Sequence, residues 1–319
     1  MAGGKTTARS LATVALAVLL DRLLGEPPAR CHPVVGMGQL IAVAERCGPR
    51  QRPLTELLYG GLLALGGALG CAASAQLMLC LVRRYLAPCD LVVEALLLKS
   101  LFAVRALEEA AMAVAEQLEA GCLAQARAAL QALVSRETAG LAPPLVAAAA
   151  VESVAENLND SFVGPLTWYA LLGLPGAAAY RFVNTCDAML GYRGRYEYLG
   201  KAAARLDDIM NWLPARLTAL LLVAAAALVG ADTRQAWRVL CRDHGRTASP
   251  NAGWPMSAAA GALGVTLEKV AHYVLGDGQR PPDPATIRAA LRLMRAAATL
   301  ALAAVVAWKL LEGRNASAS

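Results

Sequence analysis

The run from Leu57 to Val82, LLYGGLLALGGALGCAASAQLMLCLV, carries no charged side chain over about 26 residues. A helix of that length, at about 1.5 Å per residue, crosses a hydrocarbon core of about 30 Å with length left over for tilt. Arg50 and Arg52 bracket it on one side, Arg83 and Arg84 on the other. Its glycines (Gly60, Gly61, Gly66, Gly67 and Gly70) favour close helix contacts in lipid. Charged residues make up only 17% of the 319-residue chain and hydrophobic residues 57%, whereas an average soluble domain is about 25% charged. That balance excludes a disordered chain and a charged nucleic-acid-binding tail. The formal charge of +6 is modest and suits anionic ligands or lipid head groups. An alanine-rich soluble helical protein is the competing reading, and the Leu57–Val82 run counts against it.

Further apolar stretches follow. Ser161 to Tyr180 is uncharged but interrupted by Pro165 and Pro175, a pattern tolerated in membranes where the freed backbone groups face protein or a wet cavity. Leu217–Ala231 and Ala296–Trp308 are short for full spans, so the expected number lies between about three and six. Leu11–Leu20 follows Lys5 and Arg9 like a signal peptide, but Asp21 and Arg22 stand where a cleavage site would be, which predicts an uncleaved helix. Arginines flank both ends of most spans, so charge asymmetry does not orient the chain. Pro88 to Val134, with Glu94, Lys99, Arg105, Glu108, Glu109, Glu116 and Glu119, reads as a water-facing helical hairpin broken at Gly121. Asp283-Pro284 starts the C-terminal helix. No alternating strand pattern and no internal repeat is present. The expected fold is all-α: a polytopic helical membrane protein, one integral membrane domain over 1–319. Its parts are N-terminal membrane helices (1–87), a water-facing helical segment (88–140), a motif-bearing catalytic segment with membrane helices (141–276) and a C-terminal helix (277–319). The eight cysteines include no Cys-x-x-Cys pair and the three histidines lie far apart, which argues against structural zinc and for reduced thiols.

Polar islands between these stretches hold the chemistry. Glu152, Glu156 and Asp160 recur every four residues, which on a helix sets them on one face about 40° apart. Like charges so placed repel unless water or a cation separates them. A solvated face is the bland reading, but this run is pinned between Ala147–Val151 and the uncharged Ser161–Tyr180, where charges are costly and usually functional. Carboxylates with Asn157 nearby, and no His or Cys, are hard oxygen ligands suited to Mg²⁺ carrying a nucleotide. A second island runs from Asn184 through Asp187 to Lys201. Its Arg193, Arg195 and Lys201 could hold phosphates, and Tyr196 with its neighbouring tyrosines could stack on a planar ligand; a loop meeting lipid head groups is the alternative. Arg205, Asp207, Asp208 and Asn211 form a third, with Asp207 and Asn211 on one face. Ser249-Pro250-Asn251-Ala252-Gly253-Trp254-Pro255 is a stiff turn that offers Asn251 and Trp254 to a ligand or serves structure alone. Asp21, Gly25-Glu26-Pro27-Pro28 and His32-Pro33-Val34 make a fifth, in which His32 reads as structural. No Walker-type phosphate loop is present, so any ATP site is of another kind.

In this order, together with Ser135-Arg136-Glu137-Thr138 and with Asn211-Trp212, Pro214-Ala215-Arg216, these islands closely resemble the adenosylcobinamide-phosphate synthase family of cobalamin biosynthesis, from about Asp21 to about Gly276. Glu137, Thr247 and Met256 depart from the family's usual Asp, His and Glu. The resemblance implies an integral membrane ligase that uses ATP and Mg²⁺ to join adenosylcobyric acid to (R)-1-amino-2-propanol O-2-phosphate, or to aminopropanol. A bare carboxylate is a poor electrophile; phosphorylated by ATP it becomes one, and an amine freed of its proton can attack. On this reading Glu152, Glu156, Asp160 and Asp187 are the catalytic candidates, and Glu156, Asp160, Asp207 and Asp208 the metal candidates. Arg136, Asn157, Asn184, Arg193, Arg195, Tyr196, Lys201, Arg205, Asn251 and Trp254 are the substrate- and phosphate-binding candidates. The implied setting is the inner cell membrane, multi-pass, with the active site facing the cytoplasm. The implied partners are the corrinoid, aminopropanol phosphate, lipid, other late cobalamin-pathway membrane enzymes and further copies of the chain, with no nucleic acid.

Two rival functions remain at this level. A non-catalytic membrane regulator of the β-lactamase-induction type has no reason to keep Glu156, Asp187, Asp207 and Asp208 together. A small-molecule transporter would also use intramembrane carboxylates, but no inverted repeat with paired broken helices is visible.

Overall fold

The computed structural model describes residues 2–50, 52–192 and 194–318. In chain order the helices are α1 (Ala2–Leu24), α2 (Pro33–Cys47), α3 (Pro53–Tyr85), α4 (Asp90–Lys99), α5 (Val104–Glu119), α6 (Leu123–Leu130), α7 (Pro143–Leu158), α8 (Gly164–Leu190), α9 (Lys201–Met210), α10 (Trp212–Leu228), α11 (Thr233–Asp243), α12 (Gly253–Leu263) and α13 (Pro284–Ala318). A π-turn, Asn159–Val163, joins α7 to α8. The strands β1 (Leu267–Lys269) and β2 (Tyr273–Leu275) form a small antiparallel hairpin in which Lys269 stands opposite Tyr273. Among the described residues three stretches are long and apolar enough to cross a membrane: Pro53–Tyr85, Pro143–Leu190 and Pro284–Arg314. α9 and α10 make a fourth if the two count as one broken span. The protein is an all-α polytopic membrane protein, and the short hairpin does not alter that class.

The chain forms two compact units. One comprises 1–103, 164–211 and 304–319, the other 104–163 and 212–303. In the first, α3 packs on α8 and α9, while α1 lies against α4. Glycines on α3 allow the close approach. A Cβ on Gly67 would come within 2.1 Å of the Phe182 ring, and one on Gly60 within 1.9 Å of the Leu199 carbonyl oxygen. The opposite face of α3 exposes Leu54, Leu58, Leu62, Leu65 and Leu69 at helical spacing, a stripe that suits lipid. α8 breaks at Gly173, whose φ of 70° lies in a region open to glycine, two residues before the expected interruption at Pro175.

In the second unit α5 and α6 form a helical hairpin that turns at Gly121, φ 70°, where a break was expected. α7 packs against α5, α6, α12 and β1. α11 and α12 cross closely enough that a Cβ on Gly261 would meet the Gln235 carbonyl oxygen at 2.6 Å. Asp283 caps α13 by accepting from the Thr286 N–H at 2.7 Å, as its sequence predicts.

Pro88–Val134 is not water-facing throughout. It divides into α4, α5 and α6, and Glu94, Lys99 and Glu108 are buried. Each has an opposite charge or hydroxyl beside it, which is what makes burial tolerable. Glu94 takes Arg9 at 3.0 Å and the Tyr169 hydroxyl at 3.0 Å. Lys99 Nζ lies 3.7 Å from Glu26, and Arg295 donates to Glu108 at 3.1 Å. Glu116 and Glu119 keep to the outer face of the hairpin, as does the Arg105–Glu109 pair at 2.7 Å.

Candidate functional site

In the second unit α7 starts at Pro143-Pro144 and runs through the buried Ala147, Ala148, Ala149, Ala150 and Val151. These small side chains let neighbouring elements close in around the next turn. There Glu152 and Glu156 share a face and line a cleft of about 130 Å³, together with Ser135, Arg136, Ser153, Lys269 and Tyr273. Arg136 Nη2 donates to Glu152 Oε2 at 2.8 Å. Among the described residues, the buried Glu152 Oε1 and Arg136 Nε have no hydrogen-bond partner. Groups of this kind ordinarily take a water or a ligand. Burial first, then the negative charge of Glu152 and Glu156, pushes the Tyr273 phenol above its usual value, so Tyr273 holds its proton and serves as a hydrogen-bond donor, its hydroxyl meeting Met256 Sδ at 3.8 Å.

The rest of the acidic island is used differently. The Asn157 amide turns back onto its own helix, donating to the Ser153 carbonyl and hydroxyl oxygens at 3.0 Å each. Asp160 lies in the π-turn, where Asn159 donates to it at 2.8 Å, and it remains close enough to Glu156 for the two charges to interact. Thr218 in turn donates to Asn159 at 3.0 Å. π-turns inside long helices are frequent at functional sites.

In the first unit the second and third islands meet across α8 and α9. The buried Tyr180 hydroxyl donates to Asn211 Oδ1 at 2.8 Å, and Asn211 Nδ2 donates to Asp207 Oδ2 at 2.9 Å. Asn184 Nδ2 donates to Asp207 Oδ1 at 3.4 Å, and Arg181 to Asn184 Oδ1 at 3.3 Å. Asp207 and Asn211 thus share a face, as their spacing predicts, and both Asp207 oxygens accept an amide. Asp208 pairs with the exposed Arg205 at 3.4 Å. Asp187 is half-buried, and a Cβ on Gly191 would come 2.1 Å from its Oδ1. Arg195 reaches Glu45 at 3.2 Å and lies over the Tyr196 ring at 5.1 Å. Lys201 is exposed at the start of α9. Arg193 lies outside the described residues.

The Ser249–Pro255 turn, again in the second unit, is tied from within. Ser249 Oγ accepts from the Asn251 and Ala252 N–H groups at 3.2 and 3.3 Å. Buried Asn251 accepts from Arg216 at 2.6 Å. Trp254 stacks on His244 with ring centroids 4.3 Å apart, and Arg216 lies 4.6 Å from its centroid. An imidazole and a guanidinium therefore already engage the Trp254 ring.

Comparison with known proteins decides the family. The profile of the CobD/Cbib protein family matches residues 14–294. The chain belongs to the CobD/Cbib family. It is 45% identical over 279 residues to the cobalamin biosynthesis protein CobD of Dehalococcoides mccartyi, covering 88% of this chain and 91% of that protein. The protein of the same name from Geobacter metallireducens is 43% identical over 299 residues, covering 91% and 93%. The probable cobalamin biosynthesis protein CobD of Methanothermobacter thermautotrophicus is 43% identical over 263 residues, covering 82% and 85%. The shared name places the family in cobalamin biosynthesis. No solved structure matches the chain.

Within this CobD/Cbib chain the cleft contains two groups that sequence reasoning missed, Lys269 and Tyr273. Their segment, Leu267–Leu275, is too short for strand periodicity to register, and Leu267 and Leu275 are its only fully buried side chains. A Lys and a Tyr four apart also read as an ordinary solvated surface. Among the described residues no three His, Cys, Asp or Glu side chains are arranged to hold a metal ion. Mg²⁺ that arrives on a nucleotide needs only one or two protein carboxylates.

Proposed function

We propose that this CobD/Cbib protein is the ATP-dependent ligase that forms the amide between the free carboxylate of adenosylcobyric acid and (R)-1-amino-2-propanol O-2-phosphate, or aminopropanol. The observation that carries the reading is the cleft lined by two carboxylates on one helical turn, Glu152 and Glu156, and by two cations, Arg136 and Lys269. Amide formation from an acid and an amine needs both signs of charge at one place: a base for the ammonium proton, and cations for the departing phosphate.

Each residue has a task in that scheme. Glu156, with no ion pair of its own in the described structure, accepts the proton that frees the amine. Arg136 holds Glu152 in place and presents its remaining N–H to a phosphate oxygen; Lys269 faces the same space from the hairpin. Tyr273, which keeps its proton beside the two carboxylates, donates a hydrogen bond to an oxygen as charge develops there. Hard oxygen donors, among them the unsatisfied Glu152 Oε1, fit Mg²⁺ carried on the nucleotide, with Glu156 and Asp160 the nearest further carboxylates on that stretch of chain. Bound there, Mg²⁺–ATP would supply the activation that makes the corrinoid carboxylate an electrophile. At about 130 Å³ the cleft is smaller than typical pockets of roughly 300–1,000 Å³. It therefore suits the reacting ends of the substrates and not the corrin disc. The inner membrane, with this cleft open to the cytoplasm where ATP is available, is the setting that this chemistry requires.

The test is direct. Purified protein is incubated with adenosylcobyric acid, Mg²⁺–ATP and each amine in turn, and the corrinoid mass and nucleotide product are read. The expected product has the mass of the amide, and Glu156→Gln forms it about 100-fold or more slowly. Absence of any amide from a folded preparation with either amine overturns the ligase and leaves the regulatory alternative.

A further inference from the structure

α10 and α11 carry an outward face that the proposed chemistry does not use. Along α10 the exposed positions Leu213, Leu217, Leu220, Ala224 and Leu228 recur three or four residues apart, while Thr218, Ala219, Leu222, Ala225 and Ala226 are buried on the other side. An uncovered leucine stripe of helical period is the surface a lipid chain satisfies. At the Leu228 end the chain turns through Gly230, φ 70°, and Asp232 caps α11 by accepting from the Gln235 N–H at 2.8 Å. α11 buries Ala236, Val239, Leu240 and Asp243 and exposes Arg234, Trp237, Arg238 and Cys241. Trp237 is 51% exposed and stands beside Arg234 and Arg238 on the helix surface.

Charge decides what this face meets. Arg242 and Arg246 are taken up by the buried Asp243, at 2.8 and 3.1 Å, and Arg242 also reaches Asp277 at 2.6 Å. Among the described residues no carboxylate pairs with Arg234 or Arg238; Arg238 meets only the neutral Gln235 side chain, at 2.7 Å. Trp237 is nine positions beyond Leu228, the last four of them helical, so its backbone lies within about 25 Å of the end of the leucine stripe. Indoles and arginines just beyond the end of a lipid-facing stripe suit the membrane–water interface.

We propose that the outer face of α11 docks on the bilayer surface, with the Trp237 indole at head-group level and Arg234 and Arg238 on the phosphates of anionic lipid. The dock also steadies the cleft. α11 holds the end of the hairpin, since the buried Asp243 Oδ2 accepts from the Gly276 N–H at 2.8 Å and, at the surface, Gln235 donates to Asp277 at 2.7 Å. That hairpin carries Lys269 and Tyr273.

The full-length protein and Trp237→Phe are reconstituted in vesicles of phosphatidylcholine alone and of phosphatidylcholine with about a quarter phosphatidylglycerol. The fluorescence difference between them is the Trp237 signal. It is read with a doxyl lipid labelled near the head group and with aqueous iodide. The expected signal is blue-shifted, quenched by the shallow doxyl group and shielded from iodide, more strongly with phosphatidylglycerol. In Arg234→Gln/Arg238→Gln the phosphatidylglycerol dependence falls by about fivefold per arginine removed. Quenching by iodide alone overturns the dock, and quenching by neither agent overturns it in favour of a protein partner or second copy. A signal equal in both lipids overturns the role of the arginines. Circular dichroism on each variant excludes unfolding as the cause.

Discussion

Arg136 Nη2 sits 2.8 Å from Glu152 Oε2, joining the loop after α6 to the middle of α7 across the wall of the cleft. The pair is incomplete, because Glu152 Oε1 and Arg136 Nε are buried without partners among the described residues. An ion pair left open on one side holds its place and still offers a donor and an acceptor to whatever enters.

Arg136→Ala removes the cation and leaves Glu152 buried. Loss of one partner of a buried pair costs about 3–5 kcal/mol, and the residual exposure of Arg136 brings the expected loss to roughly 2–3 kcal/mol. A thermal melt in detergent should show it. Glu152→Gln keeps the shape and should melt closer to wild type, while amide synthesis falls in both.

Lys269 and Tyr273 separate binding from folding, since both sit on a short hairpin at the edge of the unit. Lys269→Gln removes a charge-assisted contact worth roughly 1.5–3 kcal/mol, so kcat/KM should fall about 10- to 150-fold. The melting temperature should stay near wild type. Steady-state kinetics on the reconstituted enzyme distinguishes this from a structural role.

Asp243 sets an acid limit on stability. Burial alone would raise its carboxyl value. The bonds from Arg242 and the Gly276 N–H, with the charges of Arg242 and Arg246, more than offset this and hold it below the ordinary carboxylate range. Its folded value is below its unfolded value of about 3.9, so its stabilisation is complete above that pH and is lost as pH falls through the folded value. The melting temperature should be level from neutral pH to about 5 and drop below about 4. Asp243→Asn should melt lower at pH 7, by roughly 1–2 kcal/mol of stability because the arginines it leaves are partly exposed and Arg242 keeps Asp277, and show a shallower drop in acid.

Gly67 and Gly60 test the α3–α8–α9 contact. At Gly67→Ala the new methyl meets the Phe182 ring, and overpacking of this kind costs about 1–3 kcal/mol. Gly60→Ala meets a backbone carbonyl oxygen, which cannot rotate away as a ring can, so its melting temperature in detergent should fall further. Equal, small effects would show that α3 can shift outward.

Much of this was legible in the chain itself. A long uncharged run must be a helix if it is to lie in lipid, because each of its backbone polar groups has to be satisfied internally. Leu57–Val82, the Gly121 break, the Asp283 cap and the shared face of Asp207 and Asn211 follow from such local rules and stand in the structure. Glu152 and Glu156 were likewise placed on one helical turn by spacing alone. What surrounds them was not legible. The Arg136 contact crosses 16 residues and the approach of Lys269 more than 100, and nothing local records which distant side chain fills the space beside a carboxylate. Burial of Glu94, Lys99 and Glu108 was hidden for the same reason: a charged helix reads as wet until its partners are known. Asp160 shows the same limit: its spacing from Glu156 is local, but the five-residue π-turn that holds it and the Asn159 amide that donates to it are not announced by that spacing. Spacing along one helix is a local property of the backbone and can be read from the chain. The pairing of charges between elements is a property of packing, and only the tertiary structure decided it.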